Sequence, residues 1–269
     1  MHWLGVVDGA SSKTKIPFVY EDGLPGGAYL AEFVKRTLED LDPDSNAHPS
    51  SLYGANLISY LTEGCRHQFQ LFGIDRWLAE SPEYRPSASL VLATLIGDQL
   101  AITQVGDVAF RVNGRKWYGN PRAIDTLHQE QRRDAISAAL KENPDIPLAE
   151  LLRLGRKAIE SSLLRQVKEY QNNPNPPFGH GVLDGQDVPE QFVRAFLFPR
   201  VYVHTLEIVS DGYFDIAPKP TIGSWEEVFA RVEQEDPYKF KKHLSTKGSD
   251  PDQGLSTDDR TVLITRFHS

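Results

Sequence analysis

The sequence has a single cysteine, Cys65, among its 269 residues, which excludes an internal disulfide and a cysteine-rich zinc site and makes a reducing compartment the simpler reading. It also lacks an excess of basic residues: 37 acids against 29 lysines and arginines give a formal net charge of −8, the opposite of the basic patch that a nucleic-acid partner leaves. No apolar stretch approaches membrane-spanning length, and the opening residues lack the basic, apolar, small-residue order of a signal peptide. The expectations are a cytoplasmic protein with neither membrane nor nucleic acid as partner. Walker A, Gly-x-Ser-x-Gly and His-Glu-x-x-His motifs are missing, and "GLPGG" follows no clear strand and lacks the spacing of a dinucleotide fingerprint.

What remains is ordinary globular composition, 40% hydrophobic and 25% charged, in a chain long enough to bury a core without covalent staples. One domain over residues 1–269 is expected. "AYLAEFVKRTLEDL" places Leu30, Phe33, Val34, Leu38 and Leu41 at helical spacing, and a second amphipathic stretch runs from about Leu52 to Phe72. From Ser87 to Gly114, three β-rich runs separated by Gly-Asp and Gly-Asp-Val turns read as an antiparallel meander. Residues 121–171 return to helix as an insertion split at "PDIP", and "QNNPNPPFGHGVLDGQDVPE" is a loop by composition. "FVRAFLF", "VYVHTLEIVSDG" and "RTVLITRF" read as strands, and "SWEEVFARVEQEDPYKFKKHL" as one or two helices. Helices layered on mainly antiparallel sheet is the economical fold, an α+β architecture.

Acids stand at four places where β runs end or begin: Asp8 in "LGVVDGASSK", Asp107 in "ITQVGDV", Asp211 in "LEIVSDGYFD" with Asp215 beyond it, and Asp258-Asp259 in "STDDRTVLIT". Asp-Gly is also a common hairpin signal, so Asp8-Gly9 or Asp211-Gly212 alone reads sooner as a turn than as a ligand, and Asp107 and Asp258-Asp259 alone read as a tight turn and a solvated loop. If the runs are neighbours in one sheet, the acids converge at its end and cannot all stay ionised without cations among them. Oxygen ligands with no paired His or Cys suit magnesium or manganese, and two such ions would activate a water for phosphoester hydrolysis. "GHGVLDG" reads as a turn with a surface histidine, the alternative being His180 or Asp184 as a general acid or substrate contact.

The ordered set "GVVDGAS", "ASLVLATLIGDQLAITQVGDVAFRV", "LEIVSDGYFDI" and "STDDRTVLI" resembles the type 2C metal-dependent protein serine/threonine phosphatases, in their bacterial form, over nearly the whole chain. The resemblance implies a four-layer α-β-β-α sandwich with two mainly antiparallel central sheets and a binuclear Mn2+ or Mg2+ centre at one edge. It implies that Asp8 bridges the two metals, that the Gly9 carbonyl binds the second, and that Asp211 and Asp258 complete the first. Asp8, Asp211 and Asp258 would then act in catalysis through the metal-activated water. Asp107, with Asp211 and Asp215, matches the acids that hold a weaker third ion. The implied substrate is a phosphoprotein, at phosphoserine or phosphothreonine, or a small phosphomonoester.

The sequence departs from that pattern at its start. Only "MHWLGVV" precedes Asp8, so the acid pair and the phosphate-gripping arginine usual ahead of this strand are missing from the residues given. A start further upstream, a weakly held second metal and a lost activity are the alternatives this leaves. Lys13 or Lys15 is a candidate substitute for the arginine, against the reading of each as a solvated surface lysine. The rival function is a phosphatase-like regulatory or binding module with little or no catalysis.

Overall fold

A computed structural model of the chain describes residues 3–10, 24–40, 53–247 and 259–267. Within them, eight strands form two four-stranded sheets, and every pairing is antiparallel. The first sheet runs in the order β1 (Trp3–Gly9), β2 (Ala88–Ile96), β3 (Gln99–Val105), β6 (Arg194–Pro199). The second runs β5 (Lys116–Tyr118), β4 (Ala109–Val112), β7 (Thr205–Val209), β8 (Val262–Arg266).

Apolar faces dictate the layers. Val6, Val91, Leu100 and Ile102 of the first sheet meet Phe110, Leu206 and Ile208 of the second, forming a sheet-on-sheet core. The outer face of the first sheet, through Leu90 and Leu92, is covered by Leu30 and Val34 of α1 (Gly26–Glu39) and by Leu57 and Leu61 of α2 (Gly54–Leu71). A short helix, α3 (Asp75–Glu80), follows α2 and adds Leu78 to that core. On the outer face of the second sheet, Trp225 and Val228 of α6 (Ile222–Glu235) pack against Val209, Val262 and Ile264. The order is helix, sheet, sheet, helix, the expected α+β sandwich. The near-continuous apolar run of β2 follows from burial on both of its faces.

The meander over Ser87–Gly114 needs correcting. β2 and β3 do pair across the Gly97-Asp98 turn, but β4 pairs with β5 and β7 in the other sheet. The crossing begins at Gly106, whose φ is +77° and whose missing side chain makes room for Ser89: a Cβ there would stand 2.1 Å from the Ser89 hydroxyl oxygen. Glycine is required on both counts. The strand expected over "VYVHTLEIV" also shortens, since Arg200–Tyr202 forms a 3-10 turn before β7.

Residues 121–171 contain the expected helix pair, α4 (Ala123–Glu142) and α5 (Leu148–Arg165), with a π turn over Gln166–Tyr170. The helical expectation fails beyond Glu235, where Asp236 ends α6. Its carboxylate accepts the backbone N–H groups of Phe240, Lys241, Lys242 and His243 and folds residues 237–243 into a loop. The buried Arg132 of α4 pins that loop by donating to the carbonyls of Tyr238, Lys239 and Ser245. No helix among the described residues is long and apolar enough to cross a membrane.

Candidate metal and phosphate cleft

The ends of β1 and β7, one from each sheet, open on the same cleft. It has a volume of about 450 Å3, and Asp8, Ser89, Asp107, Arg122, Asp125 and Asp211 carry its polar lining. Leu163 of α5 and residues 244–247 form part of the wall, so the helix pair and the loop pinned by Arg132 both border it. The acids thus gather because the ends of two stacked sheets adjoin, and not, as expected, because their strands are neighbours in one sheet.

Asp8 is the penultimate residue of β1 and faces Ser89 across the ladder. The following Gly9 lies against the first turn of α1, where a Cβ would come 2.2 Å from the Gly27 carbonyl oxygen. Only glycine permits that approach, and it fixes where the strand ends. A second cavity, of about 420 Å3, lies between β1 and α1 and shares Asp8, Gly9 and Ser210 with the cleft; its far lining includes Asp259. Asp211 is exposed just beyond β7. Ser210 ties that end to the lead-in of β8, donating its N–H to the Thr261 carbonyl at 3.0 Å and accepting the Thr261 N–H on its hydroxyl at 2.8 Å.

Asp107 is engaged on both oxygens. The Ser89 hydroxyl donates to Oδ1 at 2.6 Å, and the Arg122 Nη2 pairs with Oδ2 at 2.5 Å. Burial alone would raise the Asp107 carboxyl, but Arg122 and the Ser89 hydroxyl together hold it below the usual carboxylate value. Arg122 also donates from Nε to Asp125 at 2.6 Å. Burial would weaken its charge, yet Asp107 and Asp125 push its pKa above the ordinary arginine value, with Asp211 adding to the effect. Asp215 does not line the cleft; its carboxylate pairs with Arg231 of α6 at 2.8 Å. Asp258, Lys13 and Lys15 lie outside the described residues.

His180 is buried, not a surface histidine. Burial and the Arg122 charge push its pKa down to about 4, so it stays neutral near neutral pH. Asp184 is buried too, and accepts from Gln171 and Asn172 inside the loop, where it serves structure.

Asp8, Gly9 and Asp211 line one cleft, and the hard carboxylate oxygens of the two acids are of the kind that suits a divalent cation such as Mn2+ or Mg2+. Among the described residues no group of three His, Cys, Asp or Glu side chains could hold an ion. The Asp107 carboxylate, the candidate for a weaker further ion, is paired with Arg122 in this structure.

No protein-family model matches the chain, and no curated protein matches it. Among solved structures it is similar to the serine/threonine phosphatase Stp1 from Staphylococcus aureus, at 13% identity over 99% of this chain and 84% of that one, with a TM-score of 0.47. It is also similar to the Mycobacterium tuberculosis serine/threonine phosphatase PstP, at 14% identity over 87% of this chain and 80% of that one, with a TM-score of 0.42. The catalytic domain of PstP in complex with two manganese ions matches at 12% identity over 87% of this chain and 80% of that one, with a TM-score of 0.38. Likeness at this level concerns the chain trace, and the chemistry rests on the cleft itself.

Sequence reasoning missed Ser89, Arg122, Asp125 and Lys247 as lining residues. Arg122 did leave a signal. It is the N-cap of α4, where a cation opposes the helix dipole and an acceptor side chain is preferred, so an arginine there needs acidic partners.

Proposed function

We propose that this chain is a metal-dependent phosphatase that hydrolyses phosphomonoesters, with phosphoserine and phosphothreonine of proteins as the substrate class. The observation that carries this reading is the convergence of Asp8 and Asp211 on one open cleft with a fixed guanidinium in its wall. Asp8, the Gly9 carbonyl and Asp211 would hold Mn2+ or Mg2+, with Asp258 as a further candidate ligand, while Asp215, paired with Arg231 away from the cleft, is not among them. When bound, such an ion neutralises phosphate charge and lowers the pKa of water. Asp8 lies within β1, and the paired hydrogen bonds between Ser210 and Thr261 hold the turn that carries Asp211 against the lead-in of β8. Leu163 and residues 244–247 border the cleft, and a phosphorylated side chain presented on a protein surface would enter beside them.

Hydrolysis of an aryl phosphate and of phosphoserine and phosphothreonine peptides, measured with manganese, magnesium, zinc and chelator, tests this. Activity with the hard ions and none in chelator is expected, as is its loss in Asp211→Asn with the fold retained. Equal turnover in chelator overturns the reading. The second reading is a binding module without catalysis. Phosphopeptide binding without hydrolysis under any ion would select it.

A further inference from the structure

Two carboxylates share one edge of the Arg122 guanidinium: Asp107 at Nη2, 2.5 Å away, and Asp125 at Nε, 2.6 Å away. All three side chains are largely buried, with exposures of 15% for Arg122, 13% for Asp107 and 23% for Asp125. The neighbouring turn is fastened to the same place, since Asn120 donates to the Gly106 carbonyl at 2.6 Å and Ser89 holds the other oxygen of Asp107. His180 stands in the same electrostatic neighbourhood but contributes no charge near neutral pH.

We propose that Arg122 is a resident cation, a positioning residue that takes the Asp107–Asp125 pair for itself and closes this wall of the cleft to divalent ions. Like charges brought this close need a cation between them, and the guanidinium meets that need with a planar fork whose hydrogens match the acceptors. An incoming ion would have to break two charge-assisted hydrogen bonds and leave a largely buried guanidinium without either acid. The arginine cannot step aside by losing its proton, because its pKa lies far above working pH. The pairing also locks the first turn of α4 to the β3–β4 crossing, and so positions the helix pair beside Asp8 and Asp211. This inference concerns the acid wall and does not require the phosphatase reading to hold.

Calorimetric titration of the full chain with manganese, comparing wild type, Arg122→Gln and the double variant Arg122→Gln/Asp125→Asn, tests it. Arg122→Gln is expected to take one more ion than wild type, whatever the wild-type number, and the double variant to lose that ion again. An unchanged stoichiometry in a folded Arg122→Gln overturns the proposal. Nitrogen NMR of the arginine side chains in wild type decides the matter if that variant does not fold. The Arg122 Nε–H signal is expected to persist through magnesium saturation, and its displacement as the ion binds would refute a resident cation. A wild type that binds no ion and hydrolyses nothing would remove the phosphatase reading, while the Arg122 comparison would still stand or fall by itself.

Discussion

Arg111 of β4 and Glu207 of β7 are cross-strand partners on the outer face of the second sheet, and both are buried under α6. The guanidinium donates from Nε at 2.7 Å and from Nη2 at 2.5 Å to the two carboxylate oxygens, and from Nη1 to the Ala217 carbonyl. The Trp225 indole N–H donates to the same carboxylate at 2.9 Å. Glu207→Ala leaves this guanidinium buried with one acceptor. Removing one partner of a buried pair costs about 3–5 kcal/mol. Each kcal/mol moves the melting temperature of a chain this size by about 2–4 °C, so a fall of roughly 6–20 °C is expected. Replacing both partners with apolar groups of similar volume, Arg111→Met with Glu207→Leu, removes the stranded charge. The double variant should recover most of the loss, less about 1–3 kcal/mol for the indole N–H that lost its acceptor. Urea unfolding of wild type, Arg111→Met, Glu207→Leu and their double variant closes the cycle that measures this coupling, with Glu207→Ala unfolded beside them. If the single and double variants lose the same stability, or Glu207→Ala costs less than about 1 kcal/mol, the buried-charge argument is wrong.

Burial lowers His180 from its ordinary value of 6.5 to about 4, so between those values the unfolded chain binds a proton that the folded chain refuses. Stability should therefore fall as pH drops from about 6.5 towards 4, by at most about 3 kcal/mol from this group, and thermal melts of His180→Gln should show a shallower fall across that window. Gly106→Ala forces a side chain into the left-handed region and onto the Ser89 hydroxyl. A loss of at least roughly 1–3 kcal/mol is expected in urea unfolding, and a variant as stable as wild type would contradict the crossing geometry. Burial, reinforced by the charge of Asp184, pushes the Cys65 thiol up to about 12; a thiol reagent should label it only as the chain unfolds, and rapid labelling of the folded protein would count against its place in the core. Calorimetric titration with inorganic phosphate should give weaker binding in chelator than with manganese, and equal affinities would show that the acids of the cleft do not couple to its ligand.

Much of the framework was readable because the deciding signals are local. The apolar repeat of Leu30, Val34 and Leu38 faces the first sheet as its spacing requires. The Gly97-Asp98 turn joins two strands as its composition requires. The sheet to which a strand belongs is not local. β4 reads like a continuation of β3, and only the room Ser89 needs beside Gly106 sends it across. The loop after α6 misled for a related reason. Residues 236–244 contain no Gly and one Pro, but the Asp236 carboxylate collects four N–H groups and stops the helix from resuming. Asp8 and Asp211 could be picked out as acids bordering apolar strands, whereas Ser89, Asp125 and Arg122 acquire their meaning only from partners elsewhere in the fold.

The lining of the cleft carries the carboxylates of Asp8, Asp107, Asp125 and Asp211 against the cations Arg122 and Lys247, a formal excess of negative charge. One guanidinium shared by two acids is more than neutralised, so the net field of the lining is negative. Such a field draws divalent cations and repels a bare phosphate dianion. Binding of the two must then be ordered in free energy: the ion lowers the cost of the anion, and by linkage the anion tightens the ion. Arg122 contributes by subtraction. With Asp107 and Asp125 engaged by it, an ion drawn by that field meets the cleft on the side lined by Asp8 and Asp211 and not at the arginine wall.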